Sequence, residues 1–208
     1  FVALAGGAVL MALEVAAFRI IGRTYGTALR ETTTVIAVFL TAMSIGYYAG
    51  GWIGDRRPRI STLGWVLVLA TPLMLGVLQF DEPLTDTIAA SSAPQALHAF
   101  AATTLLFALP TFFLAAISPI AVRLLSTGME HSGRVAGGVS ALSTIGSIAG
   151  TVVTAFVLID FLGSIRLTVL VLACGTLILA AILAATAMSA PIRSWARIPV
   201  VIGMFTAM

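Results

Sequence analysis

Glu14 is the one acidic residue set deep within an apolar run of this chain, and a carboxylate in a bilayer core is costly enough to mark a functional candidate. Arg19 shares its helix but not its face. Five residues separate the two, about 7.5 Å along the axis, whereas a helical ion pair needs a spacing of three or four. Glu14 therefore takes a partner on another helix, stays protonated, or faces a polar cavity able to hold a cation or proton. Tyr47 and Tyr48 offer a cation-attracting ring and a hydroxyl, or simply pack. Pro110 and Pro119 each remove a backbone donor and bend their helix, which either lines a substrate path or only shapes the bundle. Glu14, Arg19, Tyr47 and Pro119 are the candidate path residues.

No other residues assemble into chemistry. His98 and His131 have no second histidine or cysteine at ligand spacing, so no metal site is expected. There is no glycine-rich phosphate loop, no nucleophile elbow and no pair of catalytic carboxylates, so neither catalytic nor cofactor-binding residues are assigned. Cys174 stands alone within an apolar span and is expected to pack.

The elements that must position these residues are membrane helices. Hydrophobic residues make up 60% of the 208 positions and charged residues 9%, with a mean hydropathy of +1.10, far outside the soluble globular range. A bilayer core needs about 20 apolar residues per helix. Uncharged runs at 32–53, 60–80, 99–122, 135–159 and 167–192 meet that length. With the first run they predict an all-α bundle of six to seven helices forming a single domain over 1–208, at about 1–21, 32–54, 60–80, 97–125, 135–161, 165–190 and a truncated 196–208. Both ends of the sequence read as cut, and 1–18 leads directly into a multi-span protein, which sets it apart from a signal peptide. The segment 81–94 reads as an acidic outward loop holding a short surface helix.

All eleven basic residues are Arg, gathered at span ends without the continuous basic face that nucleic acid requires. A cytoplasmic N-terminus places Arg56, Arg57, Arg59, Arg123, Arg134, Arg193 and Arg197 inside and leaves Arg19, Arg23, Arg30 and Arg166 at the outer side. The positive-inside bias favours that orientation.

Gly46, Gly50 and Gly54 recur every four residues and share one helix face, which lets a neighbouring backbone approach closely. The octet at 44–51 recurs at 144–151 with identity at Ile45/Ile145, Gly46/Gly146, Ala49/Ala149 and Gly50/Gly150. The second and fifth helices would then be equivalent members of two three-helix units. Because three is odd, those units are inverted in the membrane relative to each other.

The spacing of Gly51, Asp55, Arg56 and Arg59 resembles the loop between the second and third helices of major facilitator superfamily transporters, with Pro58 where that family usually has Gly. The resemblance implies a latch in which Asp55 changes partners, with Asp55, Arg56, Arg59 and Arg123 as gate residues. The alternative is a charged helix terminus that fixes topology. A wider resemblance rests on 12–15 with Arg19, 44–56, 109–112, 118–123, Gly133-Arg134 and 145–150. In that order these segments are similar to the membrane half of bacterial fused spermidine synthase-like proteins. That likeness implies a multi-pass module of the bacterial inner membrane, acting as an anchor or scaffold subunit. Its partners would be the lipid bilayer and either other membrane subunits or a C-terminal soluble domain. Passage of a polyamine or other small cation is the alternative. An aminopropyltransferase activity would need a soluble domain beyond Met208.

Overall fold

Where no water can satisfy the backbone, each uncharged run must close its own hydrogen bonds, and each folds as one helix. The computed structural model describes residues 1–126 and 132–189. Its elements are α1 (Val2–Tyr25), α2 (Leu29–Arg56), α3 (Ile60–Ala89), α4 (Gln95–Leu125), α5 (Ser132–Val153), a π-helical turn (Thr154–Leu158), α6 (Ile159–Leu162) and α7 (Ile165–Ser189). The run Ser132–Leu162 acts as a single span, so the described chain contains six helices long and apolar enough to cross a membrane. Among the described residues there is no strand. The expected seventh helix at 196–208, Arg193, Arg197 and His131 lie outside them.

Two helices run further than their apolar stretches suggest. α1 continues to Tyr25, where Gly26 turns the chain with φ at 92°. α3 passes Phe80 and ends at Ala89, so the expected acidic loop over 81–94 shrinks to a short connection. The physical reason is Asp81. Its side chain is only 1% exposed and lies 3.6 Å from both Arg23 at the end of α1 and Arg166 at the start of α7. Tyr25 Oη also donates to the Thr85 carbonyl at 2.8 Å. α4 runs unbroken through Pro110 and Pro119, although each deletes one backbone donor.

The core is formed by α1 and α4, flanked by α3 and α7, with Leu13, Ile20, Leu67, Met74, Phe107 and Ile117 fully buried. α2 lies along α4, and α5 lies along α1. α3 packs on α7 and on α4, while α7 packs on α1. These principal contacts are preserved when the first three spans are exchanged with the last three, as an inverted pair of three-helix units requires.

Glycine makes the two long seams possible. A Cβ at Gly50 would stand 2.6 Å from the Ala116 carbonyl oxygen, and one at Gly46 would collide with the Phe112 carbonyl. At Gly54 the seam opens slightly, with Arg123 Cβ at 3.2 Å. On the other side, Gly146 and Gly150 bring α5 against the carbonyls of Leu4 and Ala8 in α1, and any side chain there would overlap them.

Candidate intramembrane polar site

α1 carries Gly6 and Gly7 at its crossing with α4 and α5, where Ile117 and the Ser143 carbonyl close against them, and both glycines line a narrow crevice beside that contact. Tyr47 of α2, Ser118 of α4, and Ser143 and Ser147 of α5 line it, together with Met43 and Leu10. The crevice is partly open and holds about 20 Å³, room for one water molecule. Ser147 Oγ donates to the Gly7 carbonyl at 3.3 Å and ties α5 to α1 at this level.

Glu14 is half-buried on α1, seven residues beyond Gly7 and so two turns along the same side. It makes no hydrogen bond or ion pair among the described residues, so none of them supplies the expected interhelical partner. Arg19 stands elsewhere, on the wall of a separate cavity between α1 and α2. Pro119 packs into the α2–α4 seam, its Cγ 2.8 Å from where a Cβ of Gly50 would be, while its neighbour Ser118 reaches the crevice. Of the four candidate path residues, Tyr47 alone lines the crevice, Glu14 continues its line along α1, and the other two lie outside it.

At the helix ends the charges sort into two groups. Asp55 pairs with Arg123 across the α2–α4 seam at 2.5 Å, with both side chains more than half exposed. Arg56 turns away from Asp55 and lies over the Trp52 ring at 3.5 Å, a cation–π contact. Arg59 sits exposed at the start of α3, where its backbone N–H donates to the Arg57 carbonyl. The proposed gate is thus one interhelical ion pair beside two arginines that it does not recruit.

Sequence reasoning missed the cluster at the opposite end. Arg23 and Arg166 each reach both Asp81 and Glu82, at 3.5 to 3.6 Å, and Arg166 also donates to the Leu78 carbonyl. The cluster joins α1, α3 and α7. A usable signal did exist, since Asp81 and Arg166 each abut an apolar run, where a charge meets a partner at equal depth.

His98 is buried against Ser91, 3.2 Å from its Oγ, with the Tyr25 ring tilted beside it. No group of three metal-ligating side chains occurs among the described residues. Cys174 is exposed on the outer side of α7 and so is not part of the core packing.

Fold and site together define an all-α, multi-pass membrane protein. No protein-family model, curated protein or solved structure matches the chain.

Proposed function

We propose that the chain is the non-catalytic membrane module of a spermidine synthase-like protein, serving as an anchor and lateral scaffold subunit in a larger complex of the bacterial inner membrane. One feature supports this reading above all. The bundle exposes bulky side chains suited to lipid on α3, α4 and α7, such as Trp65, Leu105 and Ile178, and on α2 and the α5 span Leu40, Ile45, Trp52, Ile148 and Phe156. Between them, on the side away from the packed glycines, α2 also exposes a row of small residues, Thr33, Ala37, Thr41 and Ser44, and α5 exposes Gly137, Ala141, Thr144 and Thr151. Small residues on a membrane helix favour another helix over lipid, because close approach is their only source of attraction there.

The reading also sets orientation. The end bearing Arg56, Arg57, Arg59, Arg123 and Arg134 has one described carboxylate, Asp55, whereas at the other end four arginines face Glu31, Asp81, Glu82, Asp86 and Asp160. An arginine excess marks the cytoplasmic side, so the N-terminus is cytoplasmic.

The test places leucine at Ala37 and Ser44 of α2 and at Ala141 and Thr144 of α5, and measures complex size in native membranes by chemical crosslinking. Dissociation by these changes, with Gly175→Leu on α7 neutral, supports the scaffold. A wild-type chain that crosslinks to nothing refutes it.

Glu14 favours a second reading, passage of a polyamine or other small cation, because it lies on the line of the Tyr47 crevice with no partner among the described residues. Saturable spermidine flux in proteoliposomes that Glu14→Gln abolishes would establish it, and absence of flux would end it.

A further inference from the structure

Between the end of α1 and the start of α2 lies a cavity of about 350 Å³ that shares no lining residue with the Tyr47 crevice. Phe18, Ile21 and Val35 form its apolar wall, and Arg19, Glu31 and Thr32 its polar one. Glu31 is the informative member. The residue is 6% exposed, its Oε1 accepts from Arg30 Nε at 3.2 Å, and its Oε2 is buried with no hydrogen-bond partner. A buried carboxylate oxygen without a donor is unfavourable, and because Glu31 lines the cavity, a turn of its carboxylate would bring Oε2 to a donor held there. Arg19 on the same wall makes no ion pair among the described residues.

The two charges sit at different depths. Arg19 precedes the end of α1 at Tyr25 by six residues and Glu31 follows the start of α2 at Leu29 by two, which puts them about 9 Å and about 3 Å below the paired helix ends. A cationic donor is therefore wanted near the surface and an anion further in. A phospholipid headgroup bearing a primary amine presents its groups in that order, with phosphate next to the acyl chains and ammonium outermost.

We propose that this cavity binds a phosphoethanolamine-type zwitterion, its ammonium donating to Glu31 Oε2 and its phosphate accepting from the Arg19 guanidinium. Phe18, Ile21 and Val35 then cover the first carbons of an attached lipid. The site is independent of the scaffold reading.

The test measures lipid binding to the full chain in detergent micelles by native mass spectrometry. Phosphatidylethanolamine is expected to bind about tenfold more tightly than phosphatidylcholine, whose quaternary ammonium has no hydrogen to donate; one charge-assisted hydrogen bond supplies that factor. Mono- and dimethylated headgroups should retain most of the preference. Glu31→Gln should erase the preference while phosphatidylcholine binding stays unchanged, and Arg19→Gln should weaken both lipids alike. Competition by excess soluble phosphoethanolamine assigns the site to a free zwitterion, and failure to compete assigns it to the lipid; either result keeps the proposed chemistry. Equal binding of the two lipids by the wild-type chain, which needs no variant to fold, overturns the proposal.

Discussion

Gly50 and Gly51 are chain neighbours on one helix, and the structure assigns them opposite responses to the same added methyl group. At Gly51 a Cβ meets nothing within 4 Å, so Gly51→Ala should gain up to about 1 kcal/mol from helix propensity. At Gly50 the Cβ would stand 2.6 Å from Ala116 O, 2.7 Å from Ala116 Cα and 2.8 Å from Pro119 Cγ. Two of these are backbone atoms of α4, which cannot rotate aside. Restoring ordinary contact at 3.4 Å requires the seam to open by about 0.8 Å, and a gap of that size forfeits a quarter to a half of each dispersion contact. For about 40 atom pairs at about 0.15 kcal/mol each, the loss is about 2 kcal/mol. That value lies within the usual cost of overpacking, about 1–3 kcal/mol. SDS-induced unfolding of both variants in mixed micelles, followed by far-UV circular dichroism, measures the difference directly. Equal stability of Gly50→Ala and Gly51→Ala would refute the close α2–α4 approach and the repeat argument built on it.

Three further outcomes follow from the charges and from the turn at Gly163. Asp81→Asn should destabilise the fold by about 2 kcal/mol, because it removes a buried partner from Arg23 and Arg166. Asp55→Asn, at an exposed pair, should cost under about 1 kcal/mol and lose even that in about 1 M salt, as the same unfolding assay with added sodium chloride will report. Gly163 closes α6 at φ 61° with open space around it, so Gly163→Ala should lower the unfolding free energy in the same assay by about 1 kcal/mol of conformational strain alone.

The spans were legible because charge is excluded from a bilayer core for about 20 residues at a time, and each long apolar run among the described residues answers to one span. The glycine seams were legible too, since a four-residue spacing leaves one face bare whatever lies against it. What escaped was everything decided by distant partners. Asp81, Glu82 and Pro83 read locally as a loop, and only Arg23 and Arg166, arriving from α1 and α7, make burial of Asp81 tolerable and carry α3 to Ala89. Glu31 escaped for the same reason: nothing in its own stretch foretells that α1 will cover it. Of the candidate site, Tyr47 and Glu14 lie along one side of α1, whereas Arg19 and Pro119 fall to other surfaces because helix phase, invisible in a list of residue types, assigns them there. The π-helical turn at Thr154–Leu158 had no marker, as its cause is the insertion of one extra residue per turn and not any particular side chain.

The exchange of partners between the two three-helix units governs how the protein must be made. Its glycine faces close only across units, α2 on α4 and α5 on α1, so the first three helices leave the ribosome with their tightest contacts still unmade. Until α4 is inserted, Gly46 and Gly50 have no backbone to meet, and α1 waits longer, for α5. Assembly is therefore a late, concerted locking of helices already in the membrane. A chain halted after α3 would offer the insertion and quality-control machinery an open seam in place of a folded half.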